Sequence, residues 1–160
     1  MTSKLLEADG QQSAWGWFTA HCDGGSRGNP GPAGYGAVIE NAQEQVVTRL
    51  SQYLGRQTNN YAEYMGLLAV LEWALASGVR RLRVVSDSEL MVRQMNGVYK
   101  VKNPGLRPLW EEAQKRARRL EGFKIEHTLR GANKEADRLA NEAMDKGQGR
   151  KVAPGEAHVE

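Results

Sequence analysis

Asp23 closes an apolar run, Trp17-Phe18-Thr19-Ala20-His21-Cys22, and opens a glycine-rich stretch, Gly24-Gly25-Ser26-Arg27-Gly28-Asn29-Pro30-Gly31-Pro32-Ala33-Gly34-Tyr35-Gly36. A strand therefore delivers one carboxylate to a backbone that few side chains shield, where a ligand can come close. An acid in that position points to a metal ion working on a phosphate-bearing polymer. Three more acids stand in apolar settings. Asp87 ends the run Val84-Val85-Ser86, Glu63 lies in the almost wholly apolar segment Tyr61–Leu75, and Asp137 falls in Asn133-Lys134-Glu135-Ala136-Asp137-Arg138-Leu139.

Each acid also has an ordinary structural reading. Asp87 could be a turn or capping aspartate. Glu63 and Asp137 sit where a helix N-terminus favours negative charge, and for Asp137 taken singly that reading is the stronger one. It leaves the polar cluster Thr58-Asn59-Asn60 beside Glu63 unexplained. If the four acids meet, they repel one another unless cations lie between them. Oxygen donors with no cysteine or histidine pair select Mg²⁺, with Mn²⁺ as substitute, over zinc. Two such ions roughly 4 Å apart can clamp the attacking and leaving oxygens of a phosphoryl displacement.

The elements that must position these acids follow from periodicity and turn residues. Strands are expected at 15–22, 35–40 and 46–54, with the turn Asn41-Ala42-Gln43-Glu44 joining the last two in an antiparallel pair. A helix over 61–76 follows the N-cap candidates Thr58-Asn59-Asn60 and stops at Gly78. Its two acids, Glu63 and Glu72, are nine residues apart, so at about 100° per residue one faces inward when the other faces water. A buried strand over 82–86, helices from Ser88 to 96 and over 106–120, a strand over 123–129 and a helix over 134–146 complete the order β-β-β-α-β-α-α-β-α. This order predicts a mixed sheet with helices on its faces. Ligands then collect at the carboxyl ends of the parallel strands, and Asp23 and Asp87 emerge together if the first and fourth strands are parallel neighbours.

The chain has 160 residues, 40% hydrophobic and 26% charged, enough for one soluble domain with a real core. We read residues 1–14 as a flexible tail, 15–147 as the domain and 148–160 as a second flexible tail. No stretch approaches the roughly 20 apolar residues of a membrane span, and the N-terminus shows no signal-peptide pattern. A lone cysteine, Cys22, fits a cytoplasmic location. The net charge of +3 and pI near 9.1 are compatible with a polyanionic partner. Basic residues gather at Arg80–Arg83, at Lys100 and Lys102, and at Lys115–Arg119.

With these motifs in hand, the chain resembles type 1 ribonuclease H. The motifs are Asp23-Gly24-Gly25-Ser26 with Gly28-Asn29-Pro30-Gly31-Pro32-Ala33-Gly34-Tyr35-Gly36, then Thr58-Asn59-Asn60-Tyr61-Ala62-Glu63, Ser86-Asp87-Ser88 and Asn133-Lys134-Glu135-Ala136-Asp137-Arg138-Leu139-Ala140. They stand in the family's order. The resemblance implies a ribonuclease H-like α/β fold, a five-stranded mixed sheet flanked by helices on both faces. It implies Asp23, Glu63, Asp87 and Asp137 as metal-binding catalytic acids. It further implies hydrolysis of the RNA strand of an RNA/DNA hybrid to 5′-phosphate and 3′-hydroxyl ends. Separately, we expect a monomer with no obligatory protein partner. By the same carry-over Gly24, Asn29, Thr58, Asn59 and Asn60 contact the hybrid, with Thr58 at a DNA-strand phosphate.

Three departures from the family pattern stand out. The loop before the last acid is short and lacks a histidine. Arg130, seven residues before Asp137, matches short-loop members and is expected to assist catalysis with positive charge. His127 is its rival, though strand parity places it with Phe123 and Ile125 in the core or on the sheet face. The basic helix that some members insert between Gly97 and Leu106 is absent, so Lys100, Lys102 and the Lys115–Arg119 cluster are expected to meet the hybrid, a solvated helix face being the other reading of that cluster. Finally, Glu89 stands where some members have glutamine. The alternatives are an inactive hybrid-binding module, which predicts a missing acid, and another nuclease of this fold.

Overall fold

The computed structural model describes residues 16–129, 131 and 133–149. Arg130 therefore lies outside the described residues, as do most of the two expected tails. The elements run β1 (Trp17–Ser26), β2 (Gly31–Glu40), β3 (Val46–Gln57), α1 (Asn59–Ala76), β4 (Arg81–Ser86), α2 (Glu89–Met95), α3 (Arg107–Arg118), β5 (Gly122–His127) and α4 (Lys134–Gly147). The strands form one five-stranded sheet in the order β3-β2-β1-β4-β5. β1–β2 and β2–β3 pair antiparallel, β1–β4 and β4–β5 parallel. The expected mixed sheet is therefore present.

Turn chemistry sets the antiparallel half. Asn41 Oδ1 accepts from the backbone N–H of Gln43 at 2.9 Å and of Gln45 at 3.0 Å, closing the β2–β3 hairpin. Alternate residues of β2 then serve opposite faces of the sheet. Ala37 and Ile39 join Phe18, Ala20, Leu82 and Val84 in the main core under α1 and α3. On the other face Gly36 meets α4. A Cβ there would lie 2.6 Å from the Ala140 nitrogen, so a side chain would push the helix away.

α1 is apolar almost all round because it is enclosed. Leu67, Val70, Leu71 and Ala74 are fully buried between the sheet and α3. Thr58 caps it, accepting from the Tyr61 N–H at 3.1 Å. Arg116 of α3 donates to the Leu68 carbonyl at 3.0 Å and to Glu112 at 2.8 Å. This member of the basic cluster expected to bind the hybrid is thus tied to the helices. Arg80 and Arg83 likewise pair with Glu121 and Glu126.

Three expectations need correction. β1 does not stop at Cys22: Gly24, Gly25 and Ser26 pair with Tyr35, Gly34 and Ala33, because strand pairing uses backbone groups that glycine also supplies. The bare stretch shrinks to Arg27–Pro30. Gln148, assigned above to a flexible tail, caps α4 and accepts from Arg27 at 2.8 Å. His127 does not enter the core. Ile125 is 4% exposed, but the strand ends two residues later and His127 is open to solvent. No helix among the described residues is long and apolar enough to cross a membrane.

Candidate metal centre

The parallel pairing of β1 with β4 ends where Cys22 faces Ser86. The next residue in each segment is an aspartate, so Asp23 and Asp87 come together where the β1–β4 pairing ends. β1 continues along β2, with Asp23 opposite Gly36. β4 turns into α2, and the cap there is Ser88, whose Oγ accepts from the Met91 N–H at 3.3 Å. Ser88 thus supplies the cap contact that Asp87 would make on the ordinary reading.

Glu63 reaches the same edge from the first turns of α1. Gly24 makes this possible. A Cβ on Gly24 would lie 2.6 Å from the Ala62 carbonyl carbon and 2.7 Å from the Glu63 nitrogen, so β1 and α1 touch backbone to backbone. Glu63 is 8% exposed and Asp23 7%, whereas the Glu72 side chain on the far side of α1 is 75% exposed. One carboxylate oxygen from each of Asp23, Glu63 and Asp87 lies within 4.8 Å of the others.

Asp137 arrives on the first turn of α4. Asn133, just before that helix, donates its side-chain amide to the Cys22 carbonyl at 2.7 Å. The helix start is thereby pinned to β1 one residue before Asp23. Asp137 stands near enough to the Asp23 carboxyl to raise it, and both line a cleft of about 480 Å³ together with Glu63, although Asp137 is outside the trio whose oxygens lie within 4.8 Å of one another.

Burial, then the Asp87 charge, then Asp137, push the Asp23 carboxyl up to about 8. A carboxyl held that high is one that a divalent cation relieves. The neighbouring Cys22 thiol is fully buried, and burial followed by the charges of Glu63, Asp23 and Asp87 raises it well above its ordinary value. Its side chain packs into the core, apart from the acidic cluster formed by Asp23, Glu63 and Asp87. His21 pairs with Glu40 at 3.6 Å. The donor set is all carboxylate oxygen, which suits Mg²⁺ or Mn²⁺.

Residues expected to meet substrate border this edge. Ser26 N–H donates to Asn59 Oδ1 at 2.6 Å, and Asn59 N–H donates to Asn29 Oδ1 at 2.9 Å. Asn29, Thr58, Asn59 and Asn60 are all exposed. Gly24 has the packing role just described. Lys100 and Lys102 are exposed on either side of the buried Val101 and line a groove of about 710 Å³ with Tyr99, Arg107 and Trp110. Glu89 pairs with Arg93 one turn on, at 2.8 Å. Sequence reasoning missed two residues, Asn133 and Arg27. Asn133 precedes a helix and so reads as an N-cap, yet its side chain makes no cap hydrogen bond.

Comparison with known proteins supplies the family. A family model described as reverse transcriptase-like matches residues 21–143. The bifunctional protein Rv2228c of Mycobacterium tuberculosis is 51% identical over 124 residues, which are 77% of this chain and 34% of that protein. The chain thus spans about a third of the mycobacterial relatives it matches. The solved N-terminal RNase H domain of Rv2228c superposes with a TM-score of 0.80 at 46% identity, covering 83% of this chain and 96% of that one. Ribonuclease HI of Halobacterium salinarum is 38% identical over 135 residues, 84% of this chain and 68% of the relative. LC11-RNase H1 from compost, solved in complex with an RNA/DNA hybrid, superposes with a TM-score of 0.77 at 40% identity over 82% of this chain and 99% of that one. A sheet edge that gathers carboxylates from four separate elements, and a likeness extending along nearly the whole described chain, have one explanation: this chain belongs to the ribonuclease H family, in its type 1 branch.

Proposed function

We propose that the protein is a metal-dependent endonuclease that hydrolyses the RNA strand of RNA/DNA hybrids. The observation that carries this reading is the meeting of Asp23, Glu63 and Asp87 oxygens within 4.8 Å, with Asp137 beside Asp23. These four acids would hold two divalent ions, Mg²⁺ or in its place Mn²⁺, which supply a more acidic water and offset charge on the phosphoryl oxygens. The water oxygen bonds to phosphorus and the P–O3′ bond breaks; one water proton ends on the departing O3′, giving a 3′-hydroxyl, and the other leaves the new 5′-phosphate for solvent.

The chain's own residues do the rest. Asp23 gives up its proton as the site loads, since its carboxyl is held near 8 only by burial and by its acidic neighbours. Asn29, Asn59 and Asn60 carry amides that can donate and accept in a minor groove, where the 2′-hydroxyl marks RNA. Thr58 lies beside them for a DNA-strand phosphate. Lys100 and Lys102 add charge for the backbone. Arg130 is assigned positive charge near the leaving group, on its spacing from Asp137. The protein acts as a monomer in the cytoplasm.

The test is to incubate the protein with RNA/DNA hybrid, double-stranded RNA and double-stranded DNA, with Mg²⁺ and with chelator. Metal-dependent cutting confined to the RNA of the hybrid, abolished in Asp87→Asn with the fold intact, is the expected result. Binding of hybrid without cutting would instead make the chain an inactive binding module.

A further inference from the structure

We propose that Arg27 is a positioning residue that sets the affinity for the hybrid by bracing the loop Arg27–Pro30 against α4. This rests on the hybrid-cleaving reading above. The guanidinium makes a fan of contacts on one face of that helix. Its Nη1 donates to Asp145 Oδ1 at 2.7 Å and to Gln148 Oε1 at 2.8 Å, and its Nη2 to the Asn141 side-chain oxygen at 3.2 Å and backbone oxygen at 3.3 Å. Positions 141, 145 and 148 recur at the spacing of a single helix face. An isolated surface ion pair contributes little. A planar fork holding three residues fixes geometry as well as charge.

The loop needs this brace. Gly28, Asn29 and Pro30 are exposed, Gly28 has φ 92°, and no apolar side chain of the loop enters the core. Its order comes from polar ties. On one side Asn59, at the start of α1, holds Ser26 and Asn29. On the other side Arg27 holds α4. The loop therefore bridges the helix that carries Glu63 and the helix that carries Asp137, and it presents Asn29 between them. The acids have their own supports: β1 pairing for Asp23, the Gly24 contact for Glu63, and the Asn133 tie for Asp137. Loosening the brace should thus disturb substrate capture while leaving the reacting groups in place. An interaction made equally in the ground and transition states acts on KM.

The expected result for Arg27→Ala is a KM raised roughly 3- to 10-fold with kcat within about twofold, and a matching loss of hybrid affinity measured by fluorescence anisotropy in chelator. Arg27→Lys keeps the charge but not the fork, and should fall between. Asp145→Asn approaches from the other partner and should shift KM in the same direction. The double variant should add little to Arg27→Ala, because the two changes remove one interaction. A lowered melting temperature with wild-type KM and affinity would overturn the proposal, and so would a fall in kcat at constant KM. Hydrogen exchange at the loop amides gives a readout that needs no substrate. Faster exchange at residues 26–31 in Arg27→Ala is expected, and unchanged protection would overturn the brace. If the wild-type protein neither binds nor cuts hybrid, the functional reading fails, whereas the exchange result still decides the brace.

Discussion

Asn133 donates its side-chain amide to the carbonyl oxygen of Cys22 at 2.7 Å, joining residues 111 apart in the chain. One step along β1 from Cys22 is Asp23. One turn along α4 from Asn133 is Asp137. A single hydrogen bond therefore governs the spacing of two acids that share a cleft. Asn133 is 2% exposed, and its Oδ1 has no hydrogen-bond partner among the described residues.

Asn133→Ala should destabilise the fold by about 1–3 kcal/mol, the scale for a lost buried donor, and should weaken Mg²⁺ binding because α4 is no longer tied to β1. Asn133→Asp should be worse than alanine, since it places a buried carboxyl near Asp23 and Asp137, and its charged form cannot donate to the Cys22 carbonyl. Urea denaturation and calorimetric Mg²⁺ titration measure both effects. Wild-type stability and wild-type Mg²⁺ affinity in Asn133→Ala would show that the amide donor is not what holds the helix.

The pH response of the metal-free protein follows from Asp23. Its folded-state value, about 8, lies above its ordinary 3.8, so folding favours the protonated carboxyl. The stability this contributes is complete below about pH 4 and is lost as pH rises through 8. In chelator, the melting temperature of wild type relative to Asp23→Asn should fall across that window. Mg²⁺ competes with the same proton, so its affinity should rise over the same range. A pH-independent difference between the two proteins would contradict the shift.

Gly24→Ala tests the backbone contact that brings Glu63 to the sheet. The added methyl meets Ala62 and Glu63 backbone atoms that cannot move aside cheaply. We expect a loss of about 1–3 kcal/mol from overpacking and weaker metal binding as Glu63 is displaced. Denaturation combined with metal titration reads both.

Lys100→Ala with Lys102→Ala should weaken hybrid binding evenly across sequences and flatten its salt dependence. The slope of log K against log salt should drop by about one for each phosphate contact removed. Anisotropy titrations at several salt concentrations give the slope. An unchanged slope would place the nucleic acid elsewhere.

Much of this could be read from the residues. The chain order of the elements, the caps at Thr58 and Ser88, and the opposite facing of Glu63 and Glu72 follow from periodicity and local hydrogen bonding. These are short-range properties. What could not be read depended on partners distant in the chain. Gly24–Ser26 look like loop until Ala33–Tyr35 are seen pairing with them. Arg116 looks like a surface charge until the Leu68 carbonyl is seen beneath it. His127 has core parity, but only the tertiary structure shows where the core ends. Asn133 and Arg27 act across more than a hundred residues, and no local pattern marks them.

The parallel seam between β1 and β4 ends with two aspartates side by side, but the fourth carboxylate is supplied by α4, near the end of the described chain. A ribosome would have to release almost the whole domain before the set could be complete. Any proteolytic fragment cut between residues 87 and 137 would be left without it. The full set of four carboxylates thus depends on nearly all of the described elements being in place.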